Sequence, residues 1–107
     1  MEQGFVYAVN AADVPDDEPL GVEIDGRQVA IYRIDEEYFA TENVCPHQYA
    51  LMSEGYLEDG CIECPLHQAR FDVRTGAAQC GPVDRGLRVY RVALEAGAVL
   101  VELGDAA

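Results

Sequence analysis

Apolar residues come in short runs along this chain, and most runs alternate with polar positions at the two-residue period of a β-strand. Residues 5–9 (Phe-Val-Tyr-Ala-Val) are aromatic and β-branched and predict a first strand. Residues 20–24 and 28–34 flank Asp25-Gly26, a dipeptide suited to a tight primed turn, and predict a hairpin. Asp35-Glu36-Glu37 interrupts the pattern, and residues 38–41 resume it. Near the other end, residues 87–94 alternate, Glu95-Ala96-Gly97 turns the chain, and residues 99–103 return. Pro15 and Pro19 among acids make residues 11–19 a loop. Residues 50–55 and 94–98 hint at helix, but both stretches are too short to hold a helix alone. Short strands joined by Gly and Pro turns predict an all-β sandwich or barrel. Residues from about 43 to 83 are less strand-like, and they hold all four Cys, both His and three of the five Pro. They read as a loop-built site mounted on a β scaffold.

The length, 107 residues, suits one domain with a modest core and has no room for a second, catalytic domain. Charge changes the picture more. Twenty acidic residues stand against seven basic ones, all Arg, for a formal net charge of -13. The whole of that net charge falls in residues 1–63. Nucleic acid and anionic membranes would be repelled, so neither is an expected partner; the excess charge either meets a basic docking face on a partner or only keeps the protein solvated. No basic start followed by an apolar core marks a secretory signal, and no run approaches a membrane span. A cytoplasmic protein is expected, where thiols stay reduced and cysteines favour metals or catalysis over disulfides.

Candidate chemistry centres on Cys45-Pro46-His47 and Cys64-Pro65-Leu66-His67. Each half supplies one thiolate and one imidazole, and each Pro stiffens its loop. Gly55 and Gly60 lie between them, enough for a hairpin that brings the halves together. A structural zinc site takes two Cys and two His, although its halves usually pair like with like. Mixed halves also suit a two-iron cluster with both Cys on one iron and both His on the other. Either way both His are used, so no His-based mononuclear iron site is left for an oxygenase. No nucleophile-elbow or phosphate-loop motif is present.

The motif C-P-H…C-P-L-H-x-x-x-F-D resembles that of Rieske iron–sulfur proteins, and the chain is similar to the small Rieske-type ferredoxins of bacterial aromatic-ring-hydroxylating dioxygenase systems. The resemblance is clearest over about 44–83. It implies a single Rieske domain over 1–107, an antiparallel β-sandwich with a cluster-binding part at about 43–83. It implies one [2Fe-2S] cluster, held by Cys45 and Cys64 on the inner iron and by His47 and His67 on the outer, exposed iron. Gly81-Pro82 matches a proline-containing loop that covers the cluster. Cys61 completes a formal C-x-x-C with Cys64, but that pairing would break the Cys64/His67 half. Cys61 is therefore expected to be a strand residue, and Cys80 a buried thiol near the third loop.

The departures from the wider family point to a low potential. High-potential members carry a disulfide at positions that match Ala50 and Leu66 here, and hydroxyls at positions that match Ala69 and Phe71. Lost hydrogen bonds to sulfur disfavour the reduced, more negative cluster, so a potential near the bottom of the Rieske range, roughly -150 mV, is expected. The resemblance thus implies an electron carrier and not an enzyme. It would move one electron from a flavin-dependent NAD(P)H reductase to a terminal Rieske non-haem iron oxygenase, and be a monomer by itself. Glu42, Glu54, Glu58, Asp59 and Glu63 would form an acidic collar for basic surfaces on both partners. The alternatives are a zinc-stabilised interaction module and a small Rieske-like subunit of a nitrite reductase.

Overall fold

A computed structural model describes residues 5–16, 18–24, 26–43, 51–63, 70–80 and 87–102, with residues 78–80 described by their backbone. The strands in chain order are β1 (Phe5–Asn10), β2 (Leu20–Ile24), β3 (Arg27–Ile34), β4 (Glu37–Glu42), β5 (Tyr56–Glu58), β6 (Cys61–Glu63), β7 (Arg70–Asp72), β8 (Ala78–Cys80), β9 (Val89–Glu95) and β10 (Ala98–Glu102). One-turn 3₁₀ helices occupy Ala11–Asp13 and Met52–Glu54. The fold class is the all-β, antiparallel one expected. A six-stranded sheet runs β1-β10-β9-β4-β3-β2, and a four-stranded sheet runs β5-β6-β7-β8. The small sheet is inserted between β4 and β9, which pair directly through Ala40↔Tyr90 and Thr41↔Val89.

β3 is the wall shared by two cores. Its sequence, Arg-Gln-Val-Ala-Ile-Tyr-Arg-Ile, is nearly continuous in apolar residues because both of its faces are covered. Val29 and Ile31 pack with Val14, Ile24, Ala40, Val99 and Val101 inside the large sheet, whose edge strands β1 and β2 come into contact. Ala30, Tyr32 and Ile34 point the other way and pack with Met52, Ile62, Phe71, Val73 and Leu87. Side chains that alternate across one strand thus tie the small sheet to the large one.

Several expectations for loops and helices are corrected. The central stretch is not simply loop: it carries β5 to β8, whose three-residue strands are too short to display an alternating pattern. Residues 94–98 hold the expected turn, at Ala96 (φ 52) and Gly97 (φ 82) in the β9–β10 hairpin, and the faint helical pattern there comes to nothing. Among the described residues, 51–55 carry the one-turn helix Met52–Glu54, and residues 11–19 carry the Ala11–Asp13 turn. Among the described residues no helix is long and apolar enough to cross a membrane.

Candidate metal centre

Cys45, His47, Cys64 and His67 lie outside the described residues, as does Gly81-Pro82. What the structure describes is how the flanks of these segments are held. The segment 64–69 is bordered by Glu63 and Arg70, which are cross-strand partners in β6 and β7. Arg70 is also the partner of Cys80, which borders the segment 81–86, and Glu63 is the partner of Tyr56. Tyr56, Glu63, Arg70 and Cys80 thus form one row across the small sheet, with neighbours roughly 4.8 Å apart. The segments 64–69 and 81–86 are therefore bordered at one end of that sheet. Gly55 sits at the same end, so close to the Glu63 carbonyl that a Cβ there would collide with it.

The borders of segments 44–50 and 81–86 meet at Glu42 and Asn43, the last residue of β4 and its successor. Asn43 is buried, and its carbonyl accepts a hydrogen bond from Met52 N at 2.6 Å. Its Oδ1 accepts from Ser53 N at 2.7 Å, and its Nδ2 donates to Ser53 Oγ at 3.0 Å. Glu42 N donates to the Arg88 carbonyl at 2.9 Å, and Arg88 N donates to Glu42 Oε2 at 2.8 Å. Leu87 N, where the third segment ends, donates to the Gly76 carbonyl at 2.8 Å. Sequence reasoning missed both residues as organisers. A polar amide close behind the apolar run 38–40 was the available signal for Asn43, and nothing local marked Glu42 for this role.

Other residues named from sequence fall into place. Cys61 opens β6 at the far end of the small sheet, paired with Glu58 and Asp72 and half-buried. Asp72 serves the β7–β8 connection: its Oδ1 accepts from Arg74 N at 2.8 Å and its carbonyl from Gly76 N at 2.6 Å. Phe71 is fully buried in the core between the sheets. The expected acidic collar divides. Glu42, Glu54 and Glu63 stand at or beside the segment borders, whereas Glu58 and Asp59 sit at the far end of β5, about 7 Å away along the strand. A β-turn at Asp59-Gly60 reverses the chain there and carries them off.

The donor set fits a two-iron cluster. Two thiols and two imidazoles suit one iron with two Cys and one with two His. They come from segments 44–50 and 64–69, one held at its ends by the Asn43–Met52 hydrogen bond and the other by the Glu63–Arg70 pairing. Residues 4–91 match the Rieske [2Fe-2S] domain family, and this chain belongs to it. Its cofactor is accordingly a Rieske-type [2Fe-2S] cluster. The ferredoxin component of the naphthalene 1,2-dioxygenase system of Pseudomonas aeruginosa is 43% identical over 103 residues, covering 96% of this chain and 99% of that protein. The Sphingomonas yanoikuyae B1 ferredoxin has the same fold, with a TM-score of 0.87 at 35% identity, covering 92% of this chain and 97% of that one. A chain in the complex of reduced oxygenase and oxidized ferredoxin of carbazole 1,9a-dioxygenase matches with a TM-score of 0.86 at 33% identity, covering 94% of each. These relatives are ferredoxins, which carry electrons and do not convert substrates, and this chain is a protein of that kind.

Proposed function

We propose that this chain carries single electrons from a flavin-dependent NAD(P)H reductase to a terminal Rieske non-haem iron oxygenase of an aromatic-ring-hydroxylating system. We read it as a bacterial, cytoplasmic protein, monomeric by itself, with one domain over 1–107 and a cluster-binding part at about 43–83. The observation that carries the reading is near full-length similarity to ferredoxin components of dioxygenase systems, one relative being in complex with its oxygenase. Similarity at 24% identity to the small subunit of a putative nitrite reductase speaks to fold alone and lends that alternative no weight.

Cys45 and Cys64 would hold one iron and His47 and His67 the other. Bound there, the cluster supplies a centre that takes up and gives back one electron. The two thiolates balance the charge of the oxidised iron–sulfide core, and neutral imidazoles add none. The reduced centre is then a monoanion, more accessible than a four-thiolate site. Phe71, turned into the apolar core, has no hydroxyl to offer a ligand sulfur, and neither has Ala69. That supports a potential near the bottom of the Rieske range, roughly -150 mV. Such a potential matches a flavin donor and not quinol oxidation.

Reconstitution tests the reading. Purified holoprotein mixed with a flavin-dependent ferredoxin reductase and a ring-hydroxylating oxygenase should restore NAD(P)H-driven substrate oxidation. A redox titration should give a midpoint near -150 mV. A midpoint above about zero, or reduction by the flavoprotein that never reaches any oxygenase of this class, would overturn the proposal.

A further inference from the structure

Asn43 makes more hydrogen bonds than a strand end needs. Its N donates to the Gln28 carbonyl on β3 at 3.0 Å, which anchors it to the large sheet. Its carbonyl and both side-chain polar atoms then hold Met52 and Ser53 on the far side of the segment 44–50. Three hydrogen bonds thus close the mouth of this segment by protein contacts alone. On the other side of the pair stands Gly21 on β2. A Cβ at Gly21 would lie 2.7 Å from Ser53 Oγ, 2.9 Å from Asn43 Nδ2 and 3.1 Å from Ser53 Cβ. Its φ is not in the left-handed region, so conformation does not demand glycine here; the close approach of the Asn43–Ser53 pair does.

We propose that Gly21, Asn43 and Ser53 form a clip that presets the segment 44–50 for cluster binding, with Asn43 as the positioning residue. The inference rests on Cys45 and His47 being cluster ligands. A loop whose ends are already joined loses little further entropy when its donors take a metal. Without the clip, ligation itself would have to close the mouth. Breaking the clip should therefore weaken the hold on the cluster more than it weakens the fold.

The reach of the clip to β2 makes it testable from outside the segment. An exposed strand Gly outside the left-handed region ordinarily tolerates Ala with no loss or a gain in stability. Here Gly21→Ala should push Ser53 Oγ and Asn43 Nδ2 apart. In the holoprotein, the visible absorption of the cluster under chelator challenge should bleach about tenfold faster in Gly21→Ala and Asn43→Ala, and less than that in Ser53→Ala. Gly21→Ala should add less in the Ser53→Ala background, because the nearest clashing atom is gone and Asn43 Nδ2 has already lost its Ser53 Oγ acceptor. The urea midpoint of Gly21→Ala should fall by much less than a tenfold change in stability would require, and exchange of the Ser53 amide proton should quicken. If Asn43→Ala does not fold, Gly21→Ala and the double variant decide. Bleaching at the wild-type rate in Gly21→Ala while the Ser53 amide loses protection overturns the proposal. So does accelerated bleaching matched by an equal drop in urea midpoint, which would make the clip merely structural. Retention of the wild-type visible spectrum by Cys45→Ser would instead remove the premise, and that outcome is read separately.

Discussion

Among the described residues Tyr32 is the largest fully buried side chain, and its hydroxyl makes a 2.8 Å hydrogen bond with Thr41 Oγ1, which in turn donates to the Glu42 carbonyl at 2.9 Å. Burial pushes its phenol well above the ordinary value of about 10, against the smaller opposing effect of the Thr41 hydrogen bond. Below about pH 10 both folded and unfolded chains keep the proton, and the group adds no pH dependence. Above it only the unfolded chain releases the proton, so stability falls as pH rises further. Urea midpoints measured from pH 8 to 11 should drop with wild type beyond about 10 and drop less steeply with Tyr32→Phe, which should itself cost about 1 kcal/mol near neutrality. At the same scale, Cys61→Ser should leave the visible spectrum of the cluster intact, since Cys61 lies at the far end of β6, whereas Cys45→Ser or Cys64→Ser should abolish or strongly alter it. The four proposed ligands were legible because a Cys and a His in each of two short motifs is a rare pattern. Asn43 and Glu42 were not, because an amide or a carboxylate gains an organising role only from what folds against it.

The elements of the large sheet were legible where a strand alternated, as in residues 20–24, or ran as an apolar β-branched and aromatic stretch between turn residues, as in 28–34 and 38–41. The small sheet was not, because three residues hold too little pattern and Ile62 and Phe71 are the only buried side chains described in β6 and β7. Its turns carry the missing information. Asp59 (φ 54) and Gly60 (φ 78) make the tight turn that an Asp-Gly pair favours. Asp35 (φ 53) and Glu36 (φ 70) do the same without a glycine and carry strain that one would relieve. Glu36→Gly should raise stability by roughly 0.5–1 kcal/mol in urea denaturation, the gain in backbone strain exceeding the entropy of the added glycine. Gly76 (φ +81) is the opposite case, since a Cβ there would collide with the Leu87 carbonyl. Gly76→Ala should cost more than about 1 kcal/mol and should loosen the chain where it leaves the segment 81–86.

Across the whole molecule, a net charge of -13 would steer the chain toward the basic faces proposed for its partners. Glu42, Glu54 and Glu63 stand nearest the segment borders. Electron-transfer rates to reductase and oxygenase should fall as ionic strength rises, and stopped-flow measurement at low and high salt checks this. Rates indifferent to salt would return the charge to solvation alone. The strand pattern, the paired Cys-x-His and Cys-x-x-His motifs and the acidic excess are local or compositional, so the order of residues already pointed to an all-β protein and to a proposed two-Cys, two-His donor set. The sharing of β3 by two cores, the row from Tyr56 to Cys80 that borders two segments at one end, and the Gly21–Asn43–Ser53 clip belong to the tertiary structure. Each joins residues distant along the chain, and such long-range pairings are decided by which faces pack together and which buried polar groups find partners.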